Sequence, residues 1–203
     1  MRLNKRTVLV CGIGINDADY NIHRHENGKL VWRCPFYKCW SNMIKRCYHP
    51  SSIKASPSYN GCSVVPEWTY FSKFRAWMEQ QDWQGNVLDK DLLIKGNKEY
   101  GPNACLFVPP KVNGFMVEKP NKVSGLPVGV ILNVRDGKFM ALCNYAFGGQ
   151  RKYLGLFSTQ EEAHKAWLAF KLEQAYVLAA EQTDDRVAKA LIDRYENYAL
   201  AFA

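Results

Sequence analysis

The stretch that most constrains the fold runs from Gly129 to Trp167. Asp136-Gly137 divides the apolar run VGVILNV from KFMALCNY, and glycine takes positive φ there at no steric cost, which marks a hairpin. Gly148-Gly149 supplies a second turn before QRKYLGLF. Three antiparallel strands follow. Phe139, Ala141 and Cys143 alternate with Met140, Leu142 and Asn144, so one face packs inward and the other looks outward. Ser158-Thr159-Gln160-Glu161-Glu162 then offers two overlapping capping boxes, Ser158 with Glu161 and Thr159 with Glu162. The helix that they open carries Ala163, Ala166, Trp167 and Phe170 to cover the sheet. A last helix over residues 184–200 has Val187, Leu191, Tyr195 and Tyr198 on one stripe, suited to packing on the helix before it.

The rest of the chain reads as a second α+β body. Residues 7–33 form strands and turns, with a hairpin tip at Gly28-Lys29. PFYKCWSNMIKRCY (35–48) is a helix: Pro35 suits its first position, and Tyr37, Trp40, Met43 and Cys47 make an apolar stripe. Lys45 and Arg46 lie off that stripe. HPSSIKASPSYNG (49–61) reads as a loop. CSVVPEWTYFSKFRAWMEQQ gives a short strand and a helix opened by Pro66-Glu67, with Trp68, Phe71, Phe74, Trp77 and Met78 on its core face. Residues 114–127 hold prolines, glycines and scattered charge and read as a linker. The boundary is placed near 120, giving domains 1–119 and 120–203.

Charge narrows the partner. Of 203 residues, 27 are Lys or Arg and 19 Asp or Glu, a net charge of +8 that suits a polyanion such as DNA or RNA. Seven cysteines occur, an odd number at irregular spacing. Cys34, Cys39, Cys47, Cys62 and His49 lack the paired C-x2-C that marks a zinc site, so structural zinc is not expected and free thiols are. His23 and His25, two apart on a strand, are read as surface histidines. With no secretory signal and no membrane-length apolar run, an intracellular location is expected, in the host cytoplasm if the chain is phage-encoded.

Gly129-Val130, Lys138-Phe139 with Ala141, Tyr153-Leu154-Gly155 with Phe157, Thr159, Glu161-Glu162-Ala163 and Ala166-Trp167 stand in the order of a known module. This part resembles the plant ethylene-response-factor type of DNA-binding domain, which also occurs in phage homing endonucleases. The resemblance implies a three-stranded sheet lying in the major groove. Its outward candidates are Asn133, Arg135, Asn144, Arg151, Lys152 and Tyr153. Arg and Lys would meet phosphates or guanine, and Asn would read adenine. Val128, Ile131 and Leu142 stand where the plant domain is richer in arginine.

Upstream, LDKDLLIKGNKEYGPNACLFVPPKVN (88–113) crowds acids, bases and amides. Gly96-Asn97-Lys98, Pro102, Val108 and Asn113 are similar to the core of HNH homing endonucleases of phage, with their ββα-metal fold. The family's catalytic histidine falls here on Lys90 or Asp91, and its Asn-Leu pair becomes Ala104-Cys105. The resemblance implies a phosphodiester hydrolase using Mg²⁺ or Mn²⁺. Asp89, Asp91 and Asn113 would be the oxygen ligands. Asp89, Asp91, Lys95 and Asn97 would form the catalytic set, and Lys98 and Arg46 would meet the DNA.

Two functions follow as expectations. One is a phage-type endonuclease or nickase acting on double-stranded DNA, as a monomer or weak dimer. The other is a non-catalytic DNA-binding protein on a degenerate nuclease scaffold.

Overall fold

The computed structural model describes residues 9–118, 125–146, 148 and 150–201, with the side chains of 197–201 excepted. Gly149 of the second expected turn, the Tyr198 side chain, Thr7, Val8 and the middle of the expected linker lie outside the described residues. Two compact units are present, residues 1–107 and 108–203. Both mix helix and strand, as an α+β chain should.

The first unit opens with a ribbon of β1 (His23–Glu26) and β2 (Lys29–Arg33), antiparallel. Asn27 and Gly28 turn it, both at positive φ, a pair suited to a two-residue hairpin. Helix α1 (Pro35–Tyr48) follows, with Pro35 in its first turn. Of its stripe, Trp40, Met43 and Cys47 are buried and Tyr37 is half-buried against the core, and Ile44, outside the expected stripe, is buried as well. Lys45 and Arg46 sit in its last turn, where cations offset the exposed carbonyl ends.

The segment 49–61 departs from the loop expected of it. Pro50–Ala55 is a helix, α2, and Pro57–Tyr59 is a 3₁₀ turn. Proline punctuates loops, but it equally suits the first turn of a helix, where its missing N–H costs nothing. Both short elements begin this way.

Strand β3 (Ser63–Val64) leads to a 3₁₀ turn, Pro66–Thr69, and then to α3 (Phe71–Met78). The expected single helix is therefore broken at Tyr70. The backbone there turns to exchange hydrogen bonds with Ile15: Ile15 N donates to Thr69 O and Phe71 N donates to Ile15 O. The core closes on aromatic contacts. Trp40 lies 5.5 Å from Phe71 by ring centroid, and its indole N–H donates to Trp68 O at 2.8 Å. Trp68 meets Phe74 edge-on at 5.1 Å. Such pairs add about 1 kcal/mol each beyond the area they bury.

Strands β4 (Val87–Asp89), β5 (Glu99–Tyr100) and β6 (Leu106–Val108) complete this part. β5 pairs in parallel with β3, and β4 pairs with β6. Residues 90–98 thus connect strands of two different sheets.

The second unit begins with α4 (Pro110–Met116). Its Phe115 ring meets Tyr195 edge-on at 5.4 Å, and Phe115 O accepts from Lys171 Nζ at 3.0 Å. These contacts tie α4 to the C-terminal helices. The unit accordingly starts upstream of the boundary near 120 that linker composition suggested.

Strands β7 (Val130–Asn133), β8 (Lys138–Asn144) and β9 (Arg151–Phe157) form an antiparallel sheet in that order. Helix α5 (Gln160–Ala180) covers one face, and α6 (Asp185–Ala201) packs on α5. Of the two possible capping boxes, the chain uses Thr159 with Glu162: Glu162 N donates to Thr159 Oγ1, and the Glu162 carboxylate accepts from Thr159 N. Gly129 permits the closest approach of strand and helix. Its φ is +82°, and a Cβ there would lie 2.0 Å from Trp167 Cδ1.

Candidate nucleic-acid interface

Register assigns every residue of the sheet to a face. Phe139, Ala141 and Cys143 of β8 point toward α5, with Ala141 and Cys143 buried. Their partners Val130, Gly155 and Phe157 share that side. The outer face carries Ile131, Met140 and Leu156 in one row and Leu142 and Tyr153 in the next. Asn133 and Lys138 lie at one end, Asn144 and Arg151 at the other. Tyr153 is 56% exposed, and Ile131 and Leu156 are each 37% exposed.

A bulge decides which basic residues reach this face. Ala141 pairs with Gly155 and Leu142 with Tyr153, so Leu154 is an extra residue on β9. Leu154 packs into the core beside Val130 and Ala163. The extra residue reverses the alternation beyond it. Tyr153 and Arg151 turn outward; Lys152 turns inward, where its Nζ sits 4.3 Å from the centre of the Phe170 ring. Lys152, expected outside, is therefore a helix-side residue that closes the sheet edge by a cation–π contact.

The outer polar groups are partly preorganised. Arg151 Nε donates to Asn144 Oδ1 at 3.2 Å across the strand pair. Asn133 spends its amide on the turn: Nδ2 donates to Asp136 Oδ2 at 2.8 Å, and Oδ1 accepts from Arg135 N at 3.1 Å. Arg135 itself is exposed in that turn. Gln174 of α5 fixes the far end, accepting from Ala146 N and donating to Asn144 O. From Val130 to Phe157 the cations are Arg135, Lys138, Arg151 and Lys152, against one carboxylate, Asp136. Lys138 belongs to this face by strand alternation.

The expected hydrolytic centre is organised differently. Asp89 Oδ1 accepts from both Asp91 N and Leu92 N at 2.7 Å, an Asx turn at the end of β4. Lys90 is only 5% exposed. Its ammonium donates to Asp91 Oδ1 and to Asn97 O, and lies 5.8 Å from the centre of the Tyr100 ring. Asn97 Nδ2 donates to Lys90 O and Glu99 O, and Oδ1 accepts from Glu99 N. Lys98 Nζ donates to Ser58 O at 2.7 Å, and Lys95 is exposed. Asn113 lies on α4, in the other unit.

The fit to a divalent cation is therefore poor. Mg²⁺ demands near-octahedral oxygen ligands and dehydrates reluctantly. Here one oxygen of Asp89 holds two backbone amides, one of Asp91 faces a buried ammonium, and the Asn97 side chain closes the loop. Among the described residues, no group of three or more His, Cys, Asp or Glu side chains is placed to hold a metal. Lys90 is the organising residue that sequence reasoning missed. Lysine is seldom buried, and the only sign of its position is that it alternates with the flanking acids.

The cysteines are free thiols. Burial pushes Cys39, Cys47 and Cys105 up to about 12, which keeps them neutral and unsuited to nucleophilic work. His23 packs edge-on against Tyr37 at 5.5 Å. No helix among the described residues is long and apolar enough to cross a membrane. Comparison with protein-family models, with curated proteins and with solved structures returned no match to this chain.

Proposed function

We propose that this chain binds double-stranded DNA through the outer face of the β7–β9 sheet. The observation that carries the reading is the composition of that face. Cations and amides stand at its two ends, and a strip of Ile131, Met140, Leu142, Tyr153 and Leu156 lies between them, exposed to different degrees, while α5 takes the other side. A β surface of this size enters the major groove. Lys138, Arg135 and Arg151 neutralise phosphates along the groove edges. The Asn144–Arg151 pair offers amide and guanidinium groups to base edges, and the apolar strip meets thymine methyls. The ethylene-response-factor-like order of residues supports the same reading. The test is a gel shift with Tyr153→Asp, which sets a carboxylate on an exposed position. Duplex binding falls sharply while the melting temperature stays unchanged. Undiminished binding refutes the reading.

A second reading, a phage-type endonuclease working at residues 88–113, has one observation in its favour. Paired strands β4 and β6 are followed by α4, the strand–strand–helix order of a ββα nuclease. Against it stand the engaged oxygens of Asp89 and Asp91. Supercoiled plasmid incubated with the protein and Mg²⁺ or Mn²⁺ separates the two. Nicking lost in Asp91→Ala favours the enzyme; intact plasmid alongside a normal gel shift favours the degenerate scaffold.

A further inference from the structure

The first unit contains a cleft of about 310 Å³ between α1, the end of α3 and the 83–88 segment. Its size matches the lower end of small-ligand sites. Lys38, Asn42 and Arg46 line it from three successive turns of α1. Trp83 and Phe107 supply aromatic walls, while Asn86 spends its amide N–H on Asp82 O at 2.8 Å. Both rings are braced from behind: Trp83 lies 4.9 Å from Phe36, and Phe107 stacks on Trp77 at 5.8 Å.

Arg46 makes the cleft chemically specific. It is half-buried, yet no carboxylate among the described residues pairs with it. It lies 5.7 Å from the centre of the Tyr59 ring, and the neutral Tyr100 phenol is its other neighbour. A guanidinium withdrawn from water with only neutral partners keeps donors for an anion. Lys38, two turns away and exposed, adds a second positive charge at the mouth. Cys39 contributes no charge, because burial holds its thiol neutral.

We propose that this cleft binds a nucleoside 5′-monophosphate unit. The phosphate lies on Arg46 and Lys38, the base lies against Trp83 or Phe107, and Asn42 meets the base edge. Planar π faces, paired cations and an amide suit a nucleotide better than an inorganic anion, which would leave the aromatic walls unused. The unit has two sources, a free nucleotide or one extruded from a strand; the second rests on the duplex-binding reading.

Calorimetric titration of the full chain with each deoxynucleoside monophosphate tests the first source, with inorganic phosphate as the control. A duplex carrying 2-aminopurine, whose fluorescence rises on unstacking, tests the second. Lys38→Met alters an exposed residue and so keeps the fold. It weakens the nucleotide, or abolishes the fluorescence rise, by about 10-fold, the scale of one charge-assisted hydrogen bond. Asn42→Leu, also exposed, weakens the nucleotide but not phosphate. Tyr153→Asp leaves free-nucleotide binding at the wild-type level, so a failure of the sheet is told apart from a failure of the cleft. The proposal is overturned if neither ligand gives a response, if phosphate binds as tightly as the nucleotides, or if Lys38→Met binds like wild type.

Discussion

Asp89 gives the sharpest test of how residues 88–100 are built. Its Oδ1 holds two amides, Asp91 N and Leu92 N, each at 2.7 Å. Asp89→Ala removes both bonds. A hydrogen bond to a charged acceptor contributes about 1.5–3 kcal/mol when buried, but this turn is half-exposed and water replaces part of the loss. The expected cost is about 2 kcal/mol for the pair. Asp89→Asn keeps an oxygen in the same place and should cost about 0.5 kcal/mol. Urea denaturation followed by tryptophan fluorescence reads the difference, because Trp32, Trp40, Trp68, Trp77 and Trp83 lie in the first unit and only Trp167 in the second. With a slope of about 2 kcal/mol/M, the midpoint drops by about 1 M for the alanine and about 0.2 M for the asparagine. A carboxylate required for charge, as a metal ligand would be, predicts the opposite of rescue in any activity assay. Equal destabilisation by the two variants would refute the Asx-turn account.

Three further outcomes follow from the packing. Cys39 and Cys105 have folded values of about 12 against an ordinary 9.0, so the fold favours their protonated forms. That stability is fully present below pH 9 and is lost as pH rises from 9 toward 12. By pH 10 it should have fallen by about 1 kcal/mol per thiol, read as a declining urea midpoint, and alanine at both sites should flatten the decline. Thr159→Ala should cost about 1 kcal/mol and Ser158→Ala much less, since only Thr159 caps α5; thermal melts distinguish them. Gly129→Ala should cost several kcal/mol, on the order of 3, because both the positive φ and the 2.0 Å approach to Trp167 oppose a Cβ; a melt within a degree of wild type would contradict the close approach.

Much of the architecture was legible where one local signal coincided with burial. Pro35 and the stripe through Trp40 and Met43 define α1, and the Asp136-Gly137 turn with alternating strands defines the sheet. Other features depend on distant partners. β3 and β5 pair over only two residues each, too short for any periodicity. The helix at Pro50–Ala55 has no buried residue, so no apolar stripe announces it. Lys152 turns inward because Leu154 is an extra residue, and a one-residue bulge leaves no compositional trace. The cluster at residues 89–97 was conspicuous as chemistry, yet its groups largely satisfy one another. A loop that buries a lysine and a site that holds a metal draw on the same residue types, and only geometry separates them.

The central claim, that the outer sheet face grips duplex DNA, is tested most directly by the salt dependence of binding in Arg151→Ala and Lys152→Met. The two residues are adjacent in sequence, equal in charge and opposite in direction. Fluorescence anisotropy with a labelled duplex across a salt series gives the slope of log affinity against log salt, which changes by about 1 for each phosphate that the protein no longer neutralises. Arg151→Ala should make the slope shallower by about 1 and weaken binding, while Lys152→Met, whose ammonium faces Phe170, should leave the slope unchanged. Equal weakening by both variants, or undiminished binding by Arg151→Ala, would contradict the assignment of the binding face.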